Sequence, residues 1–223
     1  MDGRLFAQAM AKFLAGLVLV AALLFIPAGT PGYWNGWLLI AILFVPMFCA
    51  GLVLMVRNPA LLRKRLNARE REAAQKQVVA LSGLMFLTAF VLAGLNFRFG
   101  WIVMPGWTVW VAVVLFLLAY LMYAEVLREN AYLSRTIEVQ DHQKVVDTRL
   151  YGVVRHPMYA ATLVLFLSMP LVLGSPLSFL ILLCYIPIIV KRIGNEEAVL
   201  AQGLEGYAEY CRRVRYRLIP YIW

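Results

Sequence analysis

Apolar residues in this chain come in long blocks separated by short polar stretches. Residues 10–27, 36–56, 78–96 and 107–127 are nearly unbroken apolar runs. A helix of about 17–25 such residues crosses a bilayer, so four spanning helices are predicted. The block 157–190 is too long for one helix and is interrupted at Leu173-Gly174-Ser175-Pro176. At about 1.5 Å per residue each half reaches only some 20–25 Å, which predicts two short, tilted helices joined by a tight turn. The expected fold is therefore an all-α integral membrane protein with about six transmembrane helices, the last two a short hairpin. A cytoplasmic helical tail follows, with a break at Gly203–Gly206. Between the fourth span and the hairpin, Ile137 to Val146 alternates apolar and polar residues, which predicts an extended, strand-like stretch. Asn58-Pro59 opens a basic, helix-prone loop expected to lie along the membrane.

Composition supports the membrane class. Of 223 residues, 63% are hydrophobic and only 15% charged, against about 45–50% and about 25% in a soluble domain. Charge then gives the orientation. With six spans and the N-terminus inside, all basic residues but Arg98 fall on one side, 20 of 21. That asymmetry places both termini in the cytoplasm. The net charge of +9 is accounted for by orientation and contact with anionic lipid heads, and no nucleic-acid partner is required. The cleavage pattern around Ala28-Gly29-Thr30 is weak, so the first helix is expected to be retained. Cys49, Cys184 and Cys211 form no close-spaced pair, which supports neither a disulfide framework nor a zinc site. The external loops are short: Ala28 to Asn35 is a Pro/Gly turn, and Phe97 to Gly106 is aromatic, with Trp101 and Trp107 suited to the interfacial belt.

The chemistry concentrates at the two feet of the hairpin. Arg155-His156-Pro157-Met158-Tyr159 precedes it, and Lys191-Arg192 and Glu196-Glu197 follow it. Proline at a first helical turn gives His156 a structural reading as a cap. Arg155 and Tyr159 lie within one turn of it, and together the three suit a carboxylate-bearing cofactor at a helix N-terminus. Glu196 and Glu197 could form surface ion pairs worth about 0–1 kcal/mol. Neighbours on a helix diverge by about 100°, so one should face a ligand and the other point outward or toward an arginine. The inward carboxylate could bind an ammonium, lie near a sulfonium, or accept a proton. Tyr207, Tyr210 and Val214 stand at helical spacing and are read as packing residues.

Val146-Asp147-Thr148, Tyr151, Arg155-His156-Pro157-Met158-Tyr159, the hairpin, Glu196-Glu197, Tyr207 with Tyr210, and Tyr216–Pro220 together resemble a known family. It is the isoprenylcysteine carboxyl methyltransferase-like integral membrane methyltransferases, and the resemblance covers residues 128–223. It implies S-adenosylmethionine as methyl donor, held on the cytosolic face between the His-Pro region and the Glu-Glu helix. Tyr151, His156, Pro157, Tyr159 and one of Glu196 or Glu197 are the matching cofactor positions. Family members often carry Gly-Pro-Tyr where this chain has Arg149-Leu150-Tyr151. The resemblance divides the chain into a four-helix membrane region, 1–127, and a cofactor-binding region, 128–223. The substrate is expected to be a lipid or other hydrophobic molecule bearing a carboxylate, amine or hydroxyl. Glu196, Glu197 and Arg155 are the candidate catalytic residues, and Arg192 or Arg155 would orient an anionic acceptor by a two-pronged hydrogen bond. Two other readings stand beside this one: an NADPH-dependent membrane sterol- or enone-type reductase, and a small non-enzymatic transporter or binding protein. Against the latter, no ionisable residue falls deep in a predicted span. The sequence leaves the acceptor and the oligomeric state open.

Overall fold

The computed structural model describes residues 3–66, 73–133 and 139–223, and all regular structure among them is helical. The elements are α1 (Gly3–Ala28), α2 (Trp34–Arg57), α3 (Pro59–Leu66), α4 (Ala73–Phe99) and α5 (Gly106–Glu129). After a 3-10 turn at Arg149–Gly152 come α6 (Pro157–Val172), α7 (Pro176–Leu182), α8 (Tyr185–Gly203) and α9 (Tyr207–Arg213). Five stretches are long and apolar enough to cross a membrane: Gly3–Ala28, Trp34–Arg57, Gln77–Phe99, Gly106–Glu129 and Pro176–Gly203. The shorter α6 is apolar as well. Val18, Leu84, Leu121 and Leu180 all point outward and are exposed. So large an apolar exterior suits lipid rather than water.

The hairpin turns where its sequence breaks. α6 ends at Val172, Gly174 takes φ 68°, and Ser175 caps α7 by accepting from the Ser178 backbone N–H. The second arm departs from expectation. α7 is only seven residues long, and the chain steps at Leu183-Cys184 before α8 runs unbroken from Tyr185 to Gly203. The outer part of the hairpin and the start of the tail are thus one helix, which carries Lys191, Arg192, Glu196 and Glu197 together. The expected strand is also corrected. Residues 139–148 form no strand; they turn at Gln140–Gln143, where the Gln143 N–H donates to the Gln140 carbonyl at 3.0 Å and His142 sits at φ 57°. Ile137 and Glu138 lie outside the described residues, as do 67–72 of the basic loop. The start of that loop is helical: Asn58 Oδ1 accepts from the Leu61 N–H at 3.0 Å and Pro59 opens α3, a side-chain cap with proline at the first helical position.

One apolar core joins the helices, with Leu24, Leu39, Ala93, Phe116, Val172, Leu182 and Ile189 at its centre. α6 packs chiefly on α5, and α4 packs on α1 and α7. Small residues set the α1–α4 distance. A Cβ on Gly94 would lie 2.5 Å from the Leu24 carbonyl oxygen, so the two backbones meet where only glycine fits. At the hairpin turn the polar groups are paired. The Tyr33 hydroxyl donates to the Leu173 carbonyl at 2.6 Å, Asn35 Nδ2 to Val172 at 2.7 Å, and the Ser178 hydroxyl to Ala89 at 2.7 Å. The first two serve carbonyls that the end of α6 leaves without helical partners, and the third ties α7 to α4. That end of the bundle is riveted, and the other end carries the cleft.

Candidate functional site

The corner before α6 is built by three distant segments. Arg149 stands at φ 46°, a left-handed conformation that a glycine would adopt without strain. The turn it begins buries Tyr151, whose hydroxyl accepts from Asn130 Nδ2 at 2.9 Å and whose carbonyl accepts from the Tyr210 hydroxyl at 2.8 Å. The tail then returns along the next residues. The Arg155 N–H donates to the Tyr216 carbonyl and the His156 N–H to the Arg217 carbonyl, both at 2.9 Å. His156 occupies the cap position of α6, yet its side chain makes no capping bond. The ring instead reaches α8.

There the two glutamates separate. Glu197 faces the corner: its Oε1 lies 2.8 Å from Arg155 Nε and 3.2 Å from His156 Nε2, and its Oε2 accepts from Arg217 Nε at 2.9 Å. The Arg155 contact is an ion pair off the N–H axis rather than an aligned hydrogen bond. Arg155 Nη1 is directed to the Cys211 and Val214 carbonyls at 3.4 and 3.3 Å. Side-chain exposure is only 4% for His156, 9% for Arg155 and 13% for Glu197, so this charge cluster is largely sheltered from solvent screening. Glu196 faces the other way and accepts a hydrogen bond from the buried Tyr159 hydroxyl. Arg192 Nε donates to that same hydroxyl at 3.0 Å, and its guanidinium lies 5.9 Å from the Tyr159 ring centre. The His156 and Tyr159 rings stack at 5.7 Å, linking the two sides of α8.

Between these groups lies a cleft of about 100 Å³ that opens to solvent. Its polar wall includes Tyr151, His156, Tyr159, Arg192 and Glu196, and its apolar wall Val145, Val146, Met158, Leu200 and Leu204. The segment 139–148 straps it down. Val139 and Val145 pack on the cluster of Leu204, Tyr207, Tyr210 and Val214, and Asp147 pairs with Arg213. A Cβ on Gly203 would meet Val139 Cγ2 at 2.9 Å, so the break between α8 and α9 is also the seat of the strap. Burial pushes the Tyr151, Tyr207 and Tyr210 phenols upward, leaving them neutral at ordinary pH. The Tyr207 hydroxyl is buried on the cleft wall with no hydrogen-bond partner among the described residues. Acidic and hydrogen-bonding groups facing apolar ones across one cleft fit a cofactor with a cationic end and a nucleoside end.

Of the residues singled out in the sequence, Tyr151, Arg155, His156, Tyr159, Arg192 and Glu196 all line this cleft. Pro157 is fully buried at the start of α6, and Glu197 stands behind the wall in the ion cluster. Arg217 was visible only as part of the Tyr216–Pro220 ending, and Asn130 carried no signal beyond its place after α5. Tyr210 and Val214 pack as their spacing indicated, and Tyr207 packs with them while also lining the cleft.

Residues 107–205 match the family model of phospholipid methyltransferases, which belong to the isoprenylcysteine carboxyl methyltransferase-like group of membrane methyltransferases. The matched stretch runs from α5 to the end of α8 and contains His156, Tyr159, Arg192 and Glu196. The chain is also similar to the delta(14)-sterol reductase of Mus musculus, with 32% identity over 91 residues. That alignment covers 40% of this chain and 22% of the reductase, so the chain spans about a fifth of that relative's length.

Proposed function

We propose that this chain is an S-adenosylmethionine-dependent methyltransferase acting on a lipophilic acceptor at the cytoplasmic face of a membrane. The observation that carries the reading is the meeting of Tyr159 and Glu196 on one wall of a cleft, at the foot of apolar helices, in the stretch similar to phospholipid methyltransferases. S-adenosylmethionine, when bound, supplies a methyl group activated by its sulfonium. Residues 128–223 form the cofactor-binding region and 1–127 the membrane scaffold that receives the acceptor.

The chain's own residues divide the work. Tyr159, held by Arg192, fixes one oxygen of Glu196 toward the cleft. That carboxylate offsets cationic charge and takes the proton an amine or hydroxyl acceptor releases. A carboxylate acceptor is already ionised and needs no base; Arg192 would orient it. Glu197, Arg155, His156 and Arg217 act as positioning residues that hold the α6 corner against α8. Apolar walls exclude water, and methyl transfer depends chiefly on alignment in such a dry site.

Purified protein supplied with S-adenosylmethionine labelled in its methyl group should transfer label into a total lipid extract, and identification of the product would name the acceptor. The similarity to a sterol reductase favours one other reading, reduction with NADPH. Thermal stability separates the two, because a ligand at 100 times its dissociation constant stabilises by about 2.7 kcal/mol. Stabilisation by NADPH and not by S-adenosylhomocysteine would overturn the methyltransferase reading.

A further inference from the structure

Tyr207 and Tyr210 lie side by side, their ring centres 5.8 Å apart, in the apolar cluster that closes the cleft. Their hydroxyls differ. Tyr210 donates to the Tyr151 carbonyl at 2.8 Å, whereas Tyr207 has no partner among the described residues although only 4% of the residue is exposed. A buried hydroxyl left unpaired is a net cost to the fold. Phenylalanine would fill the same space without that cost, so packing alone does not call for a tyrosine here.

The position of Tyr207 on the wall indicates what the hydroxyl meets. Leu200, Leu204 and Val145 surround it on the apolar side. On the other side it lies within electrostatic reach of Glu196, Glu197 and Arg155. It therefore stands at the junction between an apolar end and a charged end. A nucleoside with its base in the apolar end and an amino-acid chain toward Glu196 would set its ribose at that junction. We propose that the Tyr207 hydroxyl hydrogen-bonds a ribose hydroxyl of the bound nucleoside, which makes it a specificity residue for the methyl donor. The inference rests on the reading of this cleft as the donor site.

The test measures thermal stability and equilibrium binding of the full chain in detergent, wild type and Tyr207→Phe, using S-adenosylhomocysteine and its 2′-deoxy and 3′-deoxy analogues. Tyr207→Phe should be as stable as wild type, or more so, without ligand, and should bind S-adenosylhomocysteine about 3–10-fold more weakly, the range of one neutral hydrogen bond. Wild type should lose a similar factor with one of the two deoxy analogues, and the variant should not lose it again. Equal binding of S-adenosylhomocysteine by both proteins overturns the proposal. So does a loss of ligand-free stability in the variant, which would assign the hydroxyl a structural role. If the variant fails to fold, the wild-type series with the deoxy analogues decides alone: equal affinity for all three ligands overturns it. Failure of wild type to bind S-adenosylhomocysteine at all overturns the donor-site reading itself, a result distinct from a failure at Tyr207.

Discussion

Arg217 places its Nε and its Nη2 each 2.9 Å from the same oxygen of Glu197. The opposite oxygen of that carboxylate meets Arg155 and His156, so one side chain ties the tail, the α6 corner and α8 together. Glu197→Gln removes the countercharge from a nearly buried Arg155. Breaking one partner of such a pair costs about 3 kcal/mol, and the variant should unfold at a markedly lower temperature. Arg217→Met should show a smaller loss because Arg217 is more exposed. Differential scanning fluorimetry in detergent reads both, and an unaltered melting temperature for Glu197→Gln would contradict the role assigned to the cluster.

Glu196 should behave in the opposite way. Its carboxylate faces the cleft rather than the ion cluster, so Glu196→Gln should leave ligand-free stability close to wild type. A positioned general base contributes about 10²–10⁴-fold. Turnover with an amine or hydroxyl acceptor should therefore fall by at least about 100-fold, while a carboxylate acceptor should be methylated with little change. Labelled-methyl transfer with paired acceptors separates these outcomes.

Much of this arrangement was legible in the sequence, and the exceptions have physical causes. Long apolar runs fixed the helices, and Gly174 with Pro176 marked the hairpin turn because few other residues tolerate those conformations. The 100° divergence of neighbours on a helix anticipated the split between Glu196 and Glu197. Pro187 cannot donate to the Leu183 carbonyl and crowds it, which accounts for the step at Leu183-Cys184; the unbroken apolar run there hides the merger of the hairpin's second arm with the tail. The alternation before Val146 is real, but it serves packing. It turns Val139 and Val145 toward Leu204 and Tyr210 rather than into a sheet. Arg217 meets His156 and Glu197 only through the fold, and no local pattern could pair them.

Gly94 and Gly83 offer a controlled comparison on α4. A methyl group on Gly94 would press against the Leu24 backbone, whereas nothing lies within 4 Å of a Cβ on Gly83. Gly94→Ala should destabilise by about 1–3 kcal/mol through overpacking. Gly83→Ala should be neutral or gain up to about 1 kcal/mol in helix propensity. Melting temperatures moving in the same direction by the same amount would refute the close α1–α4 approach.

Arg149 carries backbone strain at φ 46° and an exposed ion pair to Glu125 at 2.6 Å. Arg149→Gly and Arg149→Val both remove the pair, so the difference between them isolates the backbone. Glycine relieves a left-handed conformation that costs other residues about 1–2 kcal/mol, and a β-branched side chain is an outlier there. The glycine variant should be more stable than the valine variant by at least about 1 kcal/mol, measured by thermal unfolding.

The return of Tyr216 and Arg217 to the corner before α6 gives the molecule a sense of time. Its helices can enter the bilayer in order as the chain is made, but the backbone of Arg155 and His156 has no partner until residues sixty positions later arrive. A nascent chain halted after α8 would hold His156 and Glu197 without the strand of tail that sets their spacing. Assembly of the cleft therefore waits on Tyr216 and Arg217, and a chain not yet extended that far cannot engage its ligand in the finished geometry.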